Sequence, residues 1–270
     1  MFTVLGASGY VGSRLVAHLR SCGYTVWAPV RGDAEVFSRP LGHVFYCAGL
    51  TADFRTRPFD TVEAHIGFLA GVLQRAQFES LLYLSSTRVY MGGGGTQEDA
   101  FLTVRPTEPS YLYNLSKLTG ESLCHACGRP DVRVVRLSNV VGPDMESASG
   151  NFIASLLSEA RTGHIFLRSD LESVKDYIHI DDVAQGLLLI ALNGQFNTYN
   201  LANGRNTTHR EWVDWMVQHF RCSYSVEFNA PVQYFPEIDV GRMEEEFGFR
   251  TRFSLGFCAV SIKEQSKGNI

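Results

Sequence analysis

No stretch of this 270-residue chain is apolar for long enough to cross a bilayer: the longest, Gly186 to Leu192, falls far short of the ~20 residues required. The N-terminus lacks the basic region and small-residue cleavage site of a secretory leader, so a membrane is not expected as a partner and the expected compartment is the cytoplasm. Runs of lysine and arginine are missing too. With 24 basic against 28 acidic residues, nothing is set up to neutralise a phosphate backbone, and nucleic acid is not expected either. The six cysteines are scattered, with Cys22, Cys47, Cys222 and Cys258 in segments expected to be core, as buried free thiols usually are. Cys124 and Cys127 form a CxxC pair with no second pair after it, late in an expected helix where thiolates gain no stabilisation; no metal site is expected. There is no internal repeat, and low complexity is confined to Gly92 to Gly95.

What is present has a regular order. Apolar content of 45% with 19% charged residues fits a compact globular chain, and the length suits one large domain with a small satellite. Apolar runs at Phe2 to Leu5, Tyr24 to Val30, Val44 to Cys47, Leu81 to Leu84 and Val132 to Leu137 alternate with helical periodicity, notably over Thr61 to Ala76 and Tyr111 to Cys127. Alternating strands and helices imply an α/β fold with a doubly wound parallel sheet covered on both faces. After Leu137 the alternation weakens. A loop of polar and small residues, Gly142 to Gly150, leads into a helix near Asn151 to Arg161; a strand at Asp176 to Ile180 and an apolar helix at Asp182 to Leu192 return to the main body. Asp181 and Asp182 are expected to cap that helix, and Thr208 to Glu211 has the pattern of a capping box opening another helix through Phe220. The expected division is residues 1–145 plus 176–202 for the sheet domain and 146–175 plus 203–270 for a small substrate lobe. Met91 to Pro109, with its four glycines, reads as a lid or as a loose surface excursion.

Gly6-Ala7-Ser8-Gly9-Tyr10-Val11-Gly12 stands between the first strand and the first helix. Missing side chains there let the backbone turn sharply, approach a pyrophosphate, and pack helix against strand, so a dinucleotide is the natural ligand. Cofactor choice is read at the end of the second strand, where an acidic residue would hold the adenosine ribose. That strand ends Ala28-Pro29-Val30-Arg31 instead; Arg31, with Arg14 as a helper, favours NADP, while Asp33 keeps NAD open.

Tyr113 and Lys117 lie four apart on an expected helix and so share one face. A free tyrosine, with a pKa of ~10, exchanges protons poorly at neutral pH; a neighbouring ammonium would stabilise the tyrosinate and make Tyr113 an acid and base. Ser85-Ser86-Thr87 ends a strand at the carboxyl edge of the sheet, where open α/β folds bind ligands and where one hydroxyl can hold a substrate oxygen.

These motifs together resemble the extended short-chain dehydrogenase/reductases, the epimerase/dehydratase family, over nearly the whole chain. The glycine turn, Cys47-Ala48-Gly49, Leu84 to Tyr90, the YxxSK of Tyr113 to Lys117, Arg136 to Pro143, Lys175 to Val183, and Tyr199-Asn200-Leu201 follow one another in family order. The resemblance implies a Rossmann-type fold with a small C-terminal lobe. It further implies Tyr113 as acid/base, Lys117 on the nicotinamide ribose, Ser86 as the catalytic hydroxyl, and often a homodimer. By the same resemblance Gly6, Ser8, Gly9, Tyr10, Val11, Gly12, Cys47, Ala48 and Gly49 line the cofactor beside the Arg31 read from its charge, and Ser86, Thr87, Asn139 and Lys175 meet the substrate. Four departures stand out: the chain between Val30 and the strand at Val44 is near the minimum for a helical crossover, so the third strand or its helix is expected to be abbreviated and the adenine pocket unusual; His65 occupies a common asparagine position, Lys175 a common arginine position, and Pro231 to Asp239 lacks the arginine that often grips a diphosphate. Thr87 and Arg88 replace the Asp-Glu pair of the family's 4,6-dehydratases, so dehydration is disfavoured. The expected activity is hydride transfer on a keto or hydroxyl group of a small molecule, a nucleotide sugar by family, with Arg31 tilting the reading to an NADPH-dependent ketoreductase. The alternatives are an NAD-dependent epimerase that keeps its cofactor and a non-catalytic dinucleotide sensor, the latter opposed by the intact Ser86, Tyr113 and Lys117.

Overall fold

The computed structural model describes residues 1–51, 53–145 and 152–255. In chain order β1 (Phe2–Leu5), α1 (Tyr10–Ser21), β2 (Val26–Trp27) and β3 (His43–Tyr46) open the fold, followed by α2 (Pro58–Val62), α3 (Phe68–Arg75) and β4 (Ser80–Ser86). Then come α4 (Leu112–Ala126), β5 (Val132–Leu137), β6 (Asn139–Val141), α5 (Phe152–Thr162), β7 (His164–Leu167) and β8 (Val174–His179). The described chain closes with α6 (Ile180–Asn193), β9 (Thr198–Leu201), β10 (Asn206–Thr208), α7 (His209–Phe220), β11 (Ser223–Val226) and α8 (Gly241–Phe247).

Six strands form one parallel sheet in the order β2-β1-β3-β4-β5-β9. Side chains alternate across it as strand geometry requires. Leu82 and Leu84 of β4 and Val135 and Leu137 of β5 join Leu15 and Leu19 of α1 and Val183, Leu187 and Ile190 of α6 in one apolar cluster. Leu81, Tyr83, Val132 and Val134 join Leu69, Val72 and Leu73 of α3 and Cys124 of α4 in another. Helices therefore cover both faces, which is why these strands read as continuous apolar runs rather than alternating ones. This is the Rossmann-type arrangement expected from sequence. Because β2 and β3 lie on opposite sides of β1, the order reverses between β1 and β3 and leaves a crevice at their carboxyl ends.

Several expectations need correction. The second strand is two residues long, not seven. It lies at the sheet edge, and Pro29, which has no N–H, follows it closely. The crossover to β3 is abbreviated as the sequence implied, to a single 3₁₀ turn, Ala34–Phe37, capped by Asp33, whose side chain accepts from Glu35 N. Strand β8 does not rejoin the main sheet: it lies between β10 and β6 in a separate three-stranded sheet, while α6 packs against α1. The cap of α6 is His179, whose Nδ1 accepts from Asp181 N at 3.2 Å; Asp182, buried in the first turn, instead holds Arg252. Cys22 is exposed at the end of α1 rather than core. Cys258, the 146–150 part of the polar loop and Asn151 lie outside the described residues. The capping box forms as expected, with Thr208 and Glu211 bonded to each other's backbone.

A separate apolar cluster surrounds Trp212 and Met216 of α7, with Ile153, Leu156 and Leu157 of α5 and Ile165 and Leu167 of β7. We propose that it is the core of the small lobe. Strand β8 serves both bodies, since Tyr177 belongs to this cluster and Ile178 to the one beneath the main sheet. The segment 91–109 is irregular but tethered. Asn200 Nδ2 donates to Thr96 O at 2.7 Å, Thr96 Oγ1 donates to Glu237 O at 2.8 Å, and Arg136 Nη1 donates to Glu98 O at 3.0 Å. Among the described residues no helix is long and apolar enough to cross a membrane.

Candidate active site

The crevice beside β1 is built from backbone. Gly6 adopts φ +89°, and a Cβ there would stand 2.6 Å from Ala48 N, so the glycine turn and the Cys47-Ala48-Gly49 stretch meet across the switch point. A Cβ on Gly12 would stand 2.3 Å from Gly6 O, which only glycine avoids. Gly9 caps α1 without a side-chain bond, and no acidic residue occupies the first turn. The open N–H groups of that turn and its positive dipole end suit a pyrophosphate, with Ser8 and Gly9 exposed beside it. Val11 packs into the core under the main sheet, and Tyr10 donates to Pro143 O at 3.0 Å. Arg31 is exposed in the loop after β2. Arg14 does not assist it: its guanidinium is bound to Pro143 O at 3.0 Å and to the Asp144 carboxylate.

Helix α4 carries Tyr113 and Lys117 on the face turned to the sheet, and both are buried. The Ser86 side chain at the end of β4 lies near enough to Tyr113 to lower its pKa. Burial raises the Tyr113 pKa, against smaller lowering effects from Ser86 and from the Arg88 charge. Lys117 Nζ donates to Leu84 O at 2.8 Å and lies 5.9 Å from the Tyr113 ring centre. Arg88 is a second cation acting on Tyr113, and the Lys117 ammonium is directed to the strand carbonyl. Burial lowers Lys117 itself to about 8 in spite of Glu121 nearby. Cys47 stays a thiol, its pKa pushed up to about 12 by burial.

Two parts of the surroundings were not legible from sequence. His65 sits on a π turn, Glu63–Gly67, that shifts the register of the helix and turns the ring inward. Its Nδ1 is 2.8 Å from Ser116 Oγ and its ring meets Tyr113 edge-on at 5.4 Å, while burial drives its pKa down to about 2. Phe54, from a segment without motif, packs at 5.4 Å against the Tyr113 ring and carries the guanidinium carbons of Arg55 and Arg88 at 4.5 and 5.7 Å. Of the expected substrate residues, Thr87 is buried in the 3₁₀ turn after Ser86. Asn139 directs its amide to Asp176 O at 2.8 Å, and Lys175 lies between Phe152 and Phe235, at 4.9 and 5.6 Å. Arg136, which opens the family-like segment Arg136 to Pro143, turns into a buried pair with Glu121 at 2.7 Å.

The family model described as the NAD dependent epimerase/dehydratase family matches residues 2–202. The chain belongs to that family. It is 27% identical over 186 residues to a dTDP-glucose 4,6-dehydratase of Streptomyces griseus, a match covering 65% of this chain and 55% of the relative. Its identity to UDP-glucuronic acid decarboxylase 2 of Arabidopsis thaliana is 20% over 288 residues, covering 93% of this chain and 65% of the relative. The matches therefore span less than two thirds of those curated relatives. Among solved structures, MoeE5 in complex with UDP-glucuronic acid and NAD superposes with a TM-score of 0.80 at 24% identity, covering 100% of this chain and 99% of that one. RMD from Pseudomonas aeruginosa complexed with NADPH gives 0.78 at 21% identity, with 100% of both chains covered. At these identities the structural likeness establishes the shared fold.

Proposed function

We propose that this chain is an NAD(P)-dependent enzyme that interconverts a hydroxyl and a carbonyl group on a nucleotide sugar. The observation that carries the reading is the proximity of Ser86 to buried Tyr113, with Lys117 one turn along α4 and the glycine turn across the crevice. A dinucleotide fits what is present: close-approach glycines at Gly6 and Gly12, an uncapped α1 N-terminus, and a buried lysine at the nicotinamide end. When bound, a nicotinamide supplies or accepts hydride at the reacting carbon.

The chain's own residues handle the proton. Burial keeps Tyr113 protonated, ready to donate to a carbonyl oxygen as hydride reaches the carbon and so to become tyrosinate; in the reverse direction that tyrosinate takes the hydroxyl proton as hydride leaves. Ser86 shares the oxygen and fixes its position, and Arg88 offsets part of the cost of the tyrosinate. Elimination of water needs a further acid and base, and positions 87 and 88 offer threonine and arginine instead. The intact hydroxyl, phenol and ammonium set opposes a purely sensory role.

A finer reading rests on Arg31. Exposed beside the short β2, with Asp33 engaged at its 3₁₀ turn, it favours a 2′-phosphate and so a ketoreductase using NADPH; retained NAD would favour an epimerase. The test is to release and identify any bound dinucleotide, then follow hydride transfer with a panel of nucleotide sugars and their 4-keto forms in wild type and Tyr113→Phe. The variant should lose at least about a hundredfold in turnover with dinucleotide affinity nearly unchanged. Equal turnover would overturn the mechanism.

A further inference from the structure

Most partly or fully buried arginines here have an acidic partner: Arg136 has Glu121, Arg242 has Glu98 and Arg133 has Asp131. Arg88 and Lys175 are half-buried cations with none among the described residues. Arg88 is firmly placed all the same. Its backbone N donates to Ser86 Oγ at 3.2 Å, its Nε donates to Asn114 Oδ1 at 3.1 Å, and Asn114 Nδ2 donates back to Arg88 O at 3.0 Å. Asn114 adjoins Tyr113, so the guanidinium is fixed at the reacting end of the site while Nη1 and Nη2 make no hydrogen bond among the described residues. Those two donors form the fork that suits a carboxylate. Arg55 shares the Phe54 ring with Arg88.

Arg88 lies within electrostatic reach of both Arg55 and Lys175, and like charges gathered with no counter-ion for Arg88 or Lys175 among the described residues are costly unless something anionic joins them. The cost is visible in the groups themselves. Burial, with Arg88 adding to it, lowers Lys175 to about 8, and burial followed by Arg55 lowers Arg88.

We propose that Arg88, supported by Lys175 and Arg55, is the specificity residue for an anionic substituent on the sugar, a carboxylate of the kind a uronic acid carries. This rests on the nucleotide-sugar reading above. A diphosphate has the same anionic oxygens, but Arg88 is anchored beside Ser86 and Tyr113, where the sugar reacts, which assigns it to the sugar.

The experiment is calorimetric titration of the full chain, saturated with dinucleotide, with UDP-glucuronic acid, UDP-glucose and UDP. Wild type should bind UDP-glucuronic acid at least about tenfold more tightly than UDP-glucose, as a charge-assisted pair predicts. Arg88→Met should bring that ratio to about one and leave UDP unchanged. Arg88→Lys, which keeps the charge and loses the fork, should retain part of the preference and provides the comparison if the methionine variant folds poorly. Equal wild-type affinities, a preference that survives Arg88→Met, or an equal loss for UDP alone would overturn the assignment, the last by showing that the diphosphate is what Arg88 reads. Failure of all three ligands to bind while the dinucleotide binds would overturn the nucleotide-sugar reading together with this one.

Discussion

At the scale of single residues the buried pair of Glu121 and Arg136 shows how the site is kept in place. Arg136 donates to both Glu121 oxygens, at 3.1 Å from Nε and 2.7 Å from Nη2, and to the Tyr90 hydroxyl at 2.7 Å, which donates in turn to Asn200. Ser85, next to Ser86, donates to Glu121 as well. Burial opposes the Arg136 charge, yet the bridge to Glu121 outweighs it and holds the guanidinium above its ordinary pKa. Glu121→Ala should therefore cost about 3–5 kcal/mol in urea unfolding, because it strands a buried guanidinium, whereas the joint replacement of Glu121 by Leu and Arg136 by Met should restore much of that loss. A small effect of the single change would show that the cavity admits water to the charge. That Ser86, Tyr113 and Lys117 would come to lie near one another was legible because a hydroxyl at a strand end and a YxxxK spacing are local patterns. The ion pair was not, since Glu121 and Arg136 come together only when α4 packs against β4 and β5. Arg31→Ala belongs to this scale also: selective loss of NADPH over NADH affinity is expected by titration, and an unchanged preference would mean the side chain is merely solvated.

Elements fix how closely those side chains approach. Helix α4 rests on β4 at Gly120, where a Cβ would stand 2.4 Å from the Tyr83 hydroxyl, and Tyr83 itself donates to His65 O. Gly120→Ala adds one methyl group to a packed seam, so α4 must lift or Tyr83 must turn. The expected result is a loss of about 1–3 kcal/mol in stability and a fall in turnover larger than the fall in dinucleotide affinity, since Tyr113 and Lys117 ride on α4. Unchanged turnover with reduced stability would show that the seam yields at Tyr83 alone. Strong periodicity made α1, α4, α6 and α7 readable, and the capping box marked the start of α7. The short β2 and the separate pairing of β8 were not readable, because an apolar run carries no information about which strand will lie beside it. The π turn at Glu63–Gly67 is likewise a one-residue slip that apolar spacing cannot distinguish from continuous helix.

Over the whole molecule, the buried histidines set the response to acid. His65 and His209 are buried, and burial is the leading cause that lowers them to about 2 and about 4, with Lys117 adding at His65 and Lys175 at His209. His179 is also buried and lowered by burial. An unfolded histidine takes its proton near pH 6.5, so between that value and about 4 the unfolded chain binds protons that the folded chain refuses. Stability must then fall as pH falls through this window, independently of any carboxylate. Unfolding in urea at pH 7 and pH 5 should show a loss of about 2 kcal/mol per ring, about 4 kcal/mol for His65 and His209 together, and His209→Gln should remove about half of that by keeping the bond to Ser169, 2.9 Å from His209 Nδ1, without a titrating ring. On the alkaline side opposing terms meet. Depressed Lys117 and Lys175 favour the fold as pH rises above about 8, while the Cys47 thiol, held protonated to about 12, disfavours it. The acid limb is therefore the clean measurement: a flat response from pH 7 to 5 would mean that these rings accept protons in the folded chain, and with His65 charged beside Lys117 and Tyr113 the proton transfer assigned to Tyr113 would need another electrostatic account.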